Sequence, residues 1–151
     1  MWDVSKTDGP GPELGRTLGY LLKHAQLQMS ELNTAALAPY GVDGRDLGVL
    51  LVLAGHEPTS QQQAAQRLGV DRTTMVALLD TLEAKGLVSR HPDADDRRRN
   101  VVELTTAGQD TLQQATLASA DAERALLAPL SPQAAQQLRD SLRAIVTHPG
   151  D

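Results

Sequence analysis

One change of apolar spacing, which occurs after Gly86, constrains the fold of this chain more than any other sequence feature. From Glu13 to Ala38, and again in shorter segments up to Gly86, Leu and Ala recur every three or four positions, as on the apolar face of a helix. Beyond Gly86, Leu87–Arg90 and Asn100–Leu104 are short β-prone runs on either side of a polar segment. The sequence therefore predicts a mainly helical protein with one small β-hairpin.

The amino-acid composition supports this prediction and excludes several classes of protein. The chain has no Phe, one Trp and two Tyr, so its core must consist of Leu, Val and Ala, a mixture that favours helices. Without Cys it cannot form disulfides or thiolate metal sites. No apolar run is long enough to span a bilayer, and the first residues lack the features of a signal peptide. We therefore expect a cytoplasmic protein with no membrane partner.

Capping residues indicate where the helices begin. Asp43 can cap a second helix, and a third, short helix is predicted to begin at Pro58-Thr59-Ser60, with Thr59 or Ser60 as its cap. Gly69 can end that helix in a sharp turn, after which Asp71 caps the next helix. Two further helices follow the hairpin, the first capped by Thr105 or Thr106 and the second starting at Ser131-Pro132.

Two helices joined by a glycine turn and followed directly by a hairpin are typical of a winged helix-turn-helix. In that arrangement the first helix supports the second, whose N-terminal residues enter the major groove of DNA, and the hairpin, or wing, reaches the phosphates. The formal net charge of −5 argues weakly against a large basic surface, but Arg90 and Arg97–Arg99 all fall within ten residues. The positive charge is thus concentrated in the predicted wing.

The segment QQQAAQRLGVDRTTMVALLDTLEAKGLVSRHPDADDRRRNVVELTTAG resembles the DNA-binding core of the multiple-antibiotic-resistance regulators, the MarR family. Its most specific feature is the wing pattern D-x-R, five residues, L-T, which is matched by Asp96, Arg98, Leu104 and Thr105. The resemblance implies a winged helix-turn-helix lobe at 43–105 and long N- and C-terminal dimerisation helices at 13–38 and 106–147. Residues 1–12 lie outside the resemblance and carry Gly and Pro without a periodic apolar pattern, so we expect them to form a flexible arm.

The resemblance also implies a function. It predicts a homodimeric, ligand-responsive transcriptional regulator, usually a repressor, which binds a near-palindromic DNA operator. Nothing in the sequence indicates an enzyme or a cofactor, since no phosphate-binding glycine loop, nucleophile elbow or pair of catalytic carboxylates stands out. The overall acidity leaves an alternative open, a dimeric helical module that binds a small molecule or a protein and has weak or lost DNA binding. The apolar terminal helices, for their part, can either form a dimer or fold back on their own subunit.

The recognition helix offers several candidate DNA contacts. Arg72 can pair with a guanine or hold a phosphate, while Thr73 and Thr74 either contact DNA or simply cap the helix beside Asp71. Where many members of the resembled family carry a basic residue, this chain has Ala77, so we expect a methyl contact at this position in place of a charged one. The candidates in this helix are Asp71, Arg72, Thr73, Thr74, Val76 and Ala77.

The supporting helix and the wing add further candidates. Ser60 and Gln61 begin the supporting helix, where they either approach a phosphate or serve only as ordinary capping residues. By analogy with the family, Asp96 holds the guanidinium of Arg98 while that arginine enters the minor groove. The other wing candidates are Arg90, Arg97 and Arg99, of which the last two either contact phosphates or are merely solvated. Arg67 and Lys85 are predicted to be solvent-facing charges.

Ligand and metal sites are less well defined. The family places effectors between the dimerisation helices and the winged lobe, so Tyr20 and Tyr40 are candidates to stack on a small aromatic or phenolic effector, with core packing as the alternative. The acids of the wing do not form a calcium loop, because the sixth position counted from Asp93 is an arginine and the twelfth a leucine. A zinc effector site that involves His56 and Glu57 stays open.

Overall fold

A computed structural model describes residues 9–55 and 58–150 of the chain. These residues belong to two compact units, one made of the segments that end at Leu32 and begin at Ala122, the other spanning Asn33–Asp121. The helices are α1 Leu18–Leu37, α2 Gly44–Val52, α3 Gln61–Leu68, α4 Arg72–Ala84, α5 Thr106–Leu126 and α6 Pro132–Thr147. The strands are β1 Thr59–Ser60, β2 Val88–Pro92 and β3 Asn100–Leu104. The fold is mainly helical, as the sequence predicts.

The sheet has three strands, one more than the predicted hairpin. β3 lies in the centre and pairs antiparallel with β2 on one side and with the two-residue β1 on the other. Ser60 pairs with Val101 and also caps α3, a double role that is allowed because an N-cap residue has the extended backbone of a strand. The prediction that Thr59 and Ser60 only begin a helix was therefore incomplete.

The first helix begins later than predicted. A short 3-10 turn, Leu14–Arg16, comes first, and Thr17 then adopts an extended conformation with φ −71° and ψ 138°. The Thr17 hydroxyl donates to the Leu14 carbonyl oxygen at 2.8 Å and accepts the Tyr20 N–H at 3.3 Å. These local bonds compete with a continuous helix, so α1 starts at Leu18 and not at Glu13.

The other predicted helix starts are confirmed. Ser60 and Gln63 form a reciprocal capping box, with distances of 3.1 and 3.2 Å between the side-chain and backbone atoms. Thr105 caps α5 by accepting the Gly108 N–H at 3.0 Å, and Ser131 caps α6 with Pro132 as its first residue. Asp43 caps α2 in the same way, through the Asp46 N–H.

The second unit contains a complete apolar core. Met75, Leu79 and Leu82 on the inner face of α4 are buried, as are Leu37 and Leu50 from the helices around it. Because this inner face is fixed by packing, the opposite face of α4 is held toward solvent.

The terminal helices of the first unit are different. α6 has no buried residue, and its Ile145 and Val146 side chains are 60% and 75% exposed. On α1, Leu18 is 64% exposed. In the described parts of the chain, no helix has the length and hydropathy that crossing a bilayer requires.

Candidate nucleic-acid interface

The start of the recognition helix α4 is fixed by two local features. Gly69 ends α3 with φ +76°, a left-handed conformation that glycine adopts at little cost. Asp71 then accepts the Thr74 N–H at 2.7 Å, and this backbone hydrogen bond, aided by the Thr74 hydroxyl, lowers the pKa of the Asp71 carboxyl group. Asp71 is thus occupied as the cap of α4, which leaves Arg72 exposed as the first helical residue.

A groove of about 480 Å³ lies between α3, α4 and the wing. Val70, Met75 and Val76 contribute apolar surface to it. Arg72 lines it from the start of α4, while Arg98 and Arg99 line it from the wing. Ser60 and Gln61, at the start of α3, line it as well. The structure therefore brings candidates from the supporting helix, the recognition helix and the wing to a single concave surface.

The arginines of this surface differ in how far their charge is neutralised. Within the described residues, Arg72, Arg97 and Arg98 form no ion pair, and all three are exposed. Arg99 approaches Asp96 at 3.8 Å between Nε and Oδ2, with both side chains largely in solvent. An exposed pair at that distance adds little stability, so the guanidinium groups near the groove remain available to an anion.

At the tip of the wing, the acidic side chains bind the backbone. Asp93 accepts the Asp95 N–H, and Asp96 accepts the Arg98 N–H, each at 3.0 Å. These are the bonds by which aspartate shapes a turn. The predicted pairing of Asp96 with the Arg98 guanidinium is therefore corrected. Asp96 binds the backbone N–H of Arg98, because the two-residue separation favours the local turn, and the Arg98 side chain forms no ion pair with any described residue.

At the base of the wing, Arg90 has a different environment from the one we predicted. Its side chain is only 19% exposed, and its guanidinium forms ion pairs with Asp80 at 2.5 Å and Glu83 at 3.2 Å, both on α4. Its Nη1 also donates to Gln61 Oε1 at 3.4 Å. Because its donors are directed at these groups, Arg90 is poorly placed to hold DNA.

Sequence reasoning missed Asp80 and Glu83 as partners in this site. The available signal was their spacing, since residues three apart lie on one face of a helix. That spacing predicts an acidic pair on α4, but only the fold shows that Arg90 reaches it.

The remaining candidates on the two helices are placed as follows. Thr73 and Ala77 are exposed on α4, while Thr74 and Val76 are half-buried. The Ser60 hydroxyl is engaged in the cap of α3, which is the capping alternative stated above. Gln61 is half-buried and bound to Arg90.

The prediction that Lys85 is only a solvent-facing charge was wrong. Its ammonium group donates to the Gly41 carbonyl oxygen at 2.7 Å and to Asp46 at 3.2 Å. The Asp46 side chain is only 6% exposed, so Lys85 compensates a carboxylate that would otherwise be buried without a positive partner. The contact links the end of α4 to α2. Arg67, by contrast, is exposed as predicted.

The candidate effector residues lie in separate parts of the chain. Tyr20 on α1 stacks on His24, with ring centroids 4.1 Å apart and ring planes tilted by 31°. Tyr40 follows α1 in a short 3-10 turn and is 38% exposed. His56 and Glu57, the pair considered for zinc, lie outside the described residues.

Comparison with known proteins identifies relatives with this architecture. The sequence profile of the MarR family matches residues 40–99. The HTH-type transcriptional repressor NicR of Pseudomonas putida KT2440 is 30% identical over 91 residues, which cover 60% of this chain and 58% of NicR. The chain therefore matches somewhat more than half the length of that curated relative.

Solved structures match over nearly the whole chain. The transcriptional repressor CouR, bound to a 23-mer DNA duplex, is 34% identical, with a TM-score of 0.84 and coverage of 89% of this chain and 96% of CouR. CouR from Rhodococcus jostii RHA1 bound to p-coumaroyl-CoA matches at 27% identity and a TM-score of 0.79, covering 93% and 99% of the two chains. Together with the winged helix-turn-helix and its groove of arginines, these matches show that the chain belongs to the MarR family of transcriptional regulators.

Proposed function

We propose that this protein is a sequence-specific DNA-binding repressor that acts as a homodimer in the cytoplasm and responds to a ligand. The observation that carries the proposal is the groove in which Arg72 of the recognition helix and Arg98 of the wing lie without ion-pair partners among the described residues. In this proposal α4 enters the major groove, and Arg98 enters the adjacent minor groove, where a narrow groove attracts arginine.

The test of DNA binding is an anisotropy titration with fragments from upstream of the gene that encodes the protein. We expect one fragment to bind more tightly than random DNA, and its affinity to fall steeply between about 50 and 200 mM salt as counterions are released. Weak binding without salt dependence would favour the alternative of a helical module that has lost its DNA function.

The proposed dimer rests on the terminal helices. Leu138, Leu142 and Ile145 form an exposed apolar stripe on α6, and Leu18, Leu21 and Leu22 form another on α1. Exposure of these side chains to water is unfavourable, and burial against a second copy removes that cost. Two copies would present two recognition helices to half-sites about 34 Å apart, one turn of DNA.

Sedimentation of Ile145→Asp tests this interface. We expect a monomer, because a carboxylate would be buried among apolar groups in the dimer, whereas Gln137→Asp on the same helix adds the same charge at a polar position. If both variants and the parent chain sediment as monomers, α6 does not form the dimer.

The proposed effector is a small aromatic or phenolic compound or its coenzyme A thioester. The support is the CouR structure with p-coumaroyl-CoA, together with Tyr20 and Tyr40 as rings that can stack on such a ligand. Addition of p-coumaroyl-CoA to the protein–DNA complex tests the class. We expect release of the DNA, at higher ligand concentration for Tyr20→Leu or Tyr40→Leu; a complex that is unaffected by the ligand would exclude this compound as effector.

A further inference from the structure

A single side chain, Arg90, contacts all three elements of the DNA-facing surface. It belongs to β2 at the base of the wing, its Nη2 donates to Asp80 on α4, and its Nη1 donates to Gln61 at the start of α3. Glu83, also on α4, accepts from Nε at 3.3 Å, from Nη2 at 3.2 Å and from the Arg90 backbone N–H at 3.2 Å. Arg90 therefore connects the wing to both helices of the helix-turn-helix.

This contact is stronger than an ordinary surface ion pair. Glu83 receives two guanidinium bonds side by side, and such bidentate geometry restricts orientation as well as distance. The hydrogen bond with Arg90 lowers the pKa of Glu83, and the bond with Glu83 raises the pKa of Arg90, so both groups are charged at neutral pH. Most of the five guanidinium donors are used within the protein, which leaves little capacity for a phosphate.

We propose that Arg90 is a positioning residue for DNA recognition. It fixes the wing relative to α3 and α4, so that Arg98 can enter the minor groove while Arg72 on α4 lies in the major groove. This inference rests on the proposed DNA-binding function. Beyond Arg90, the hairpin is held by its own strand pairing, by the pairing of Val101 and Val102 with β1, and by its tip turns. A small rotation of the hairpin at its base produces a larger displacement at its tip. The contacts of Arg90 with Asp80, Glu83 and Gln61, called the bracket below, therefore control where Arg98 lies.

The competing interpretation is that Arg90 contacts DNA directly, and the two interpretations predict opposite signs for one substitution. Glu83→Gln removes a negative charge from the DNA-facing surface. If Arg90 binds a phosphate, this change frees its guanidinium and strengthens DNA binding. If Arg90 positions the wing, the same change weakens the bracket, and DNA binding falls despite the more favourable charge.

The experiment compares DNA affinities of Glu83→Gln, Arg90→Gln and Arg90→Lys with that of the parent protein. Asp95→Asn is the matched control, because it removes one acid at the wing tip whose carboxylate accepts no bond shown in the structure. We expect roughly two- to tenfold weaker binding for Glu83→Gln. Arg90→Gln should weaken binding further, with only partial rescue by Arg90→Lys, which cannot bind a carboxylate side-on. Equal or tighter binding by Glu83→Gln would overturn the proposal, whether or not Asp95→Asn tightens to the same extent.

A double-substitution cycle tests whether Arg90 acts through Arg98. In the Arg98→Ala background, Arg90→Gln should weaken binding much less than it does alone, because a misplaced wing no longer matters. Fully additive effects would overturn the positioning role.

Wing mobility gives a readout that a mere loss of stability does not change. The chain has no Cys, so Asp95→Cys provides one labelling site for a fluorophore at the wing tip. In the folded protein, Arg90→Gln should increase the amplitude of fast anisotropy decay, and an unchanged decay would contradict the proposal. If the parent protein itself binds no DNA, the proposed function fails, whereas normal parent binding with unaffected bracket variants rejects this inference alone.

Discussion

The base and the tip of the wing contain the same kinds of residue but use them in different ways. At the base, the acids belong to the neighbouring helix α4, and they pair with the Arg90 guanidinium. At the tip, the acids Asp93 and Asp96 bind the backbone of their own turn. An arginine near acids in sequence can therefore stay free, while one whose acidic partners are seven to ten residues away can be neutralised.

The base is also held by an unusually close approach of α5. Thr105 donates its hydroxyl to the Gly86 carbonyl oxygen at 2.6 Å and caps α5 with the same oxygen atom. A Cβ atom at Gly108 would overlap the Leu87 carbonyl oxygen, so only glycine allows this contact. The tip has no comparable support from another element among the described residues.

The largest effect should therefore come from Gly108→Ala. The added methyl group must push α5 away from the backbone of Leu87, and overpacking against a rigid backbone costs about 1–3 kcal/mol or more. Urea unfolding measures the loss. Gly150→Ala near the C-terminus, where a Cβ meets no neighbouring atom, is the control and should leave stability nearly unchanged. Equal urea midpoints for Gly108→Ala and Gly150→Ala would contradict the close packing of α5 against Leu87.

Arg98→Ala should have the largest effect on DNA binding at the tip. If Arg98 enters the minor groove as proposed, its loss should weaken operator binding by roughly ten- to a hundredfold. Its thermal stability should remain that of the parent, since its side chain forms no ion pair among the described residues. Arg99→Ala is the neighbouring control, with a smaller expected loss. Unchanged affinity of Arg98→Ala in an anisotropy titration would show that the wing does not bind DNA through this residue.

Arg72→Ala tests the other side of the groove and should have a smaller, sequence-dependent effect. If Arg72 pairs with a guanine, its loss should cost about 1 kcal/mol, roughly fivefold in affinity, at the preferred operator and relax the preference at one position. Titration of operators that differ at single positions measures both quantities. A uniform loss across all operators would make Arg72 a phosphate contact.

The smallest effect should be the pH dependence of the stability that the Arg90–Glu83 ion pair contributes at the base of the wing. Arg90 lowers the pKa of Glu83 below its ordinary value of 4.5. A carboxyl group whose pKa is lowered by folding stabilises the native state above the unfolded pKa, and this contribution disappears as the pH falls through the folded pKa. The difference in Tm between the parent and Glu83→Gln should hence be constant from pH 7 to about 5 and shrink below 4.5. A difference that grows in acid would contradict the Arg90–Glu83 pair.

Much of the helical framework was predictable because its signals are local. Ser60, Asp71 and Ser131 each bind a backbone N–H three residues ahead, so the residue type and its spacing are sufficient to place the cap. Thr17 shows the limit of this reasoning, since apolar spacing continued through it while its own hydroxyl bonds interrupted the helix.

Contacts between distant residues were not predictable in the same way. Lys85 reaches Asp46 across 39 positions, and the two-residue strand at Thr59 pairs with a segment more than forty residues later. A strand of two residues has too little pattern to detect, and a lysine at a helix end looks the same whether it is solvated or paired.

The sequence by itself determined the order of helices and hairpin, the turn at Gly69 and the family to which the chain belongs, because each depends on residue types at short, fixed spacings. Only the tertiary structure decided which arginine of the wing is neutralised by acids of another element. Neutralisation of a guanidinium depends on acids within about 4 Å in space, and the packing of β2 beside α4 brings Asp80 and Glu83 to Arg90 while leaving Arg98 at the groove.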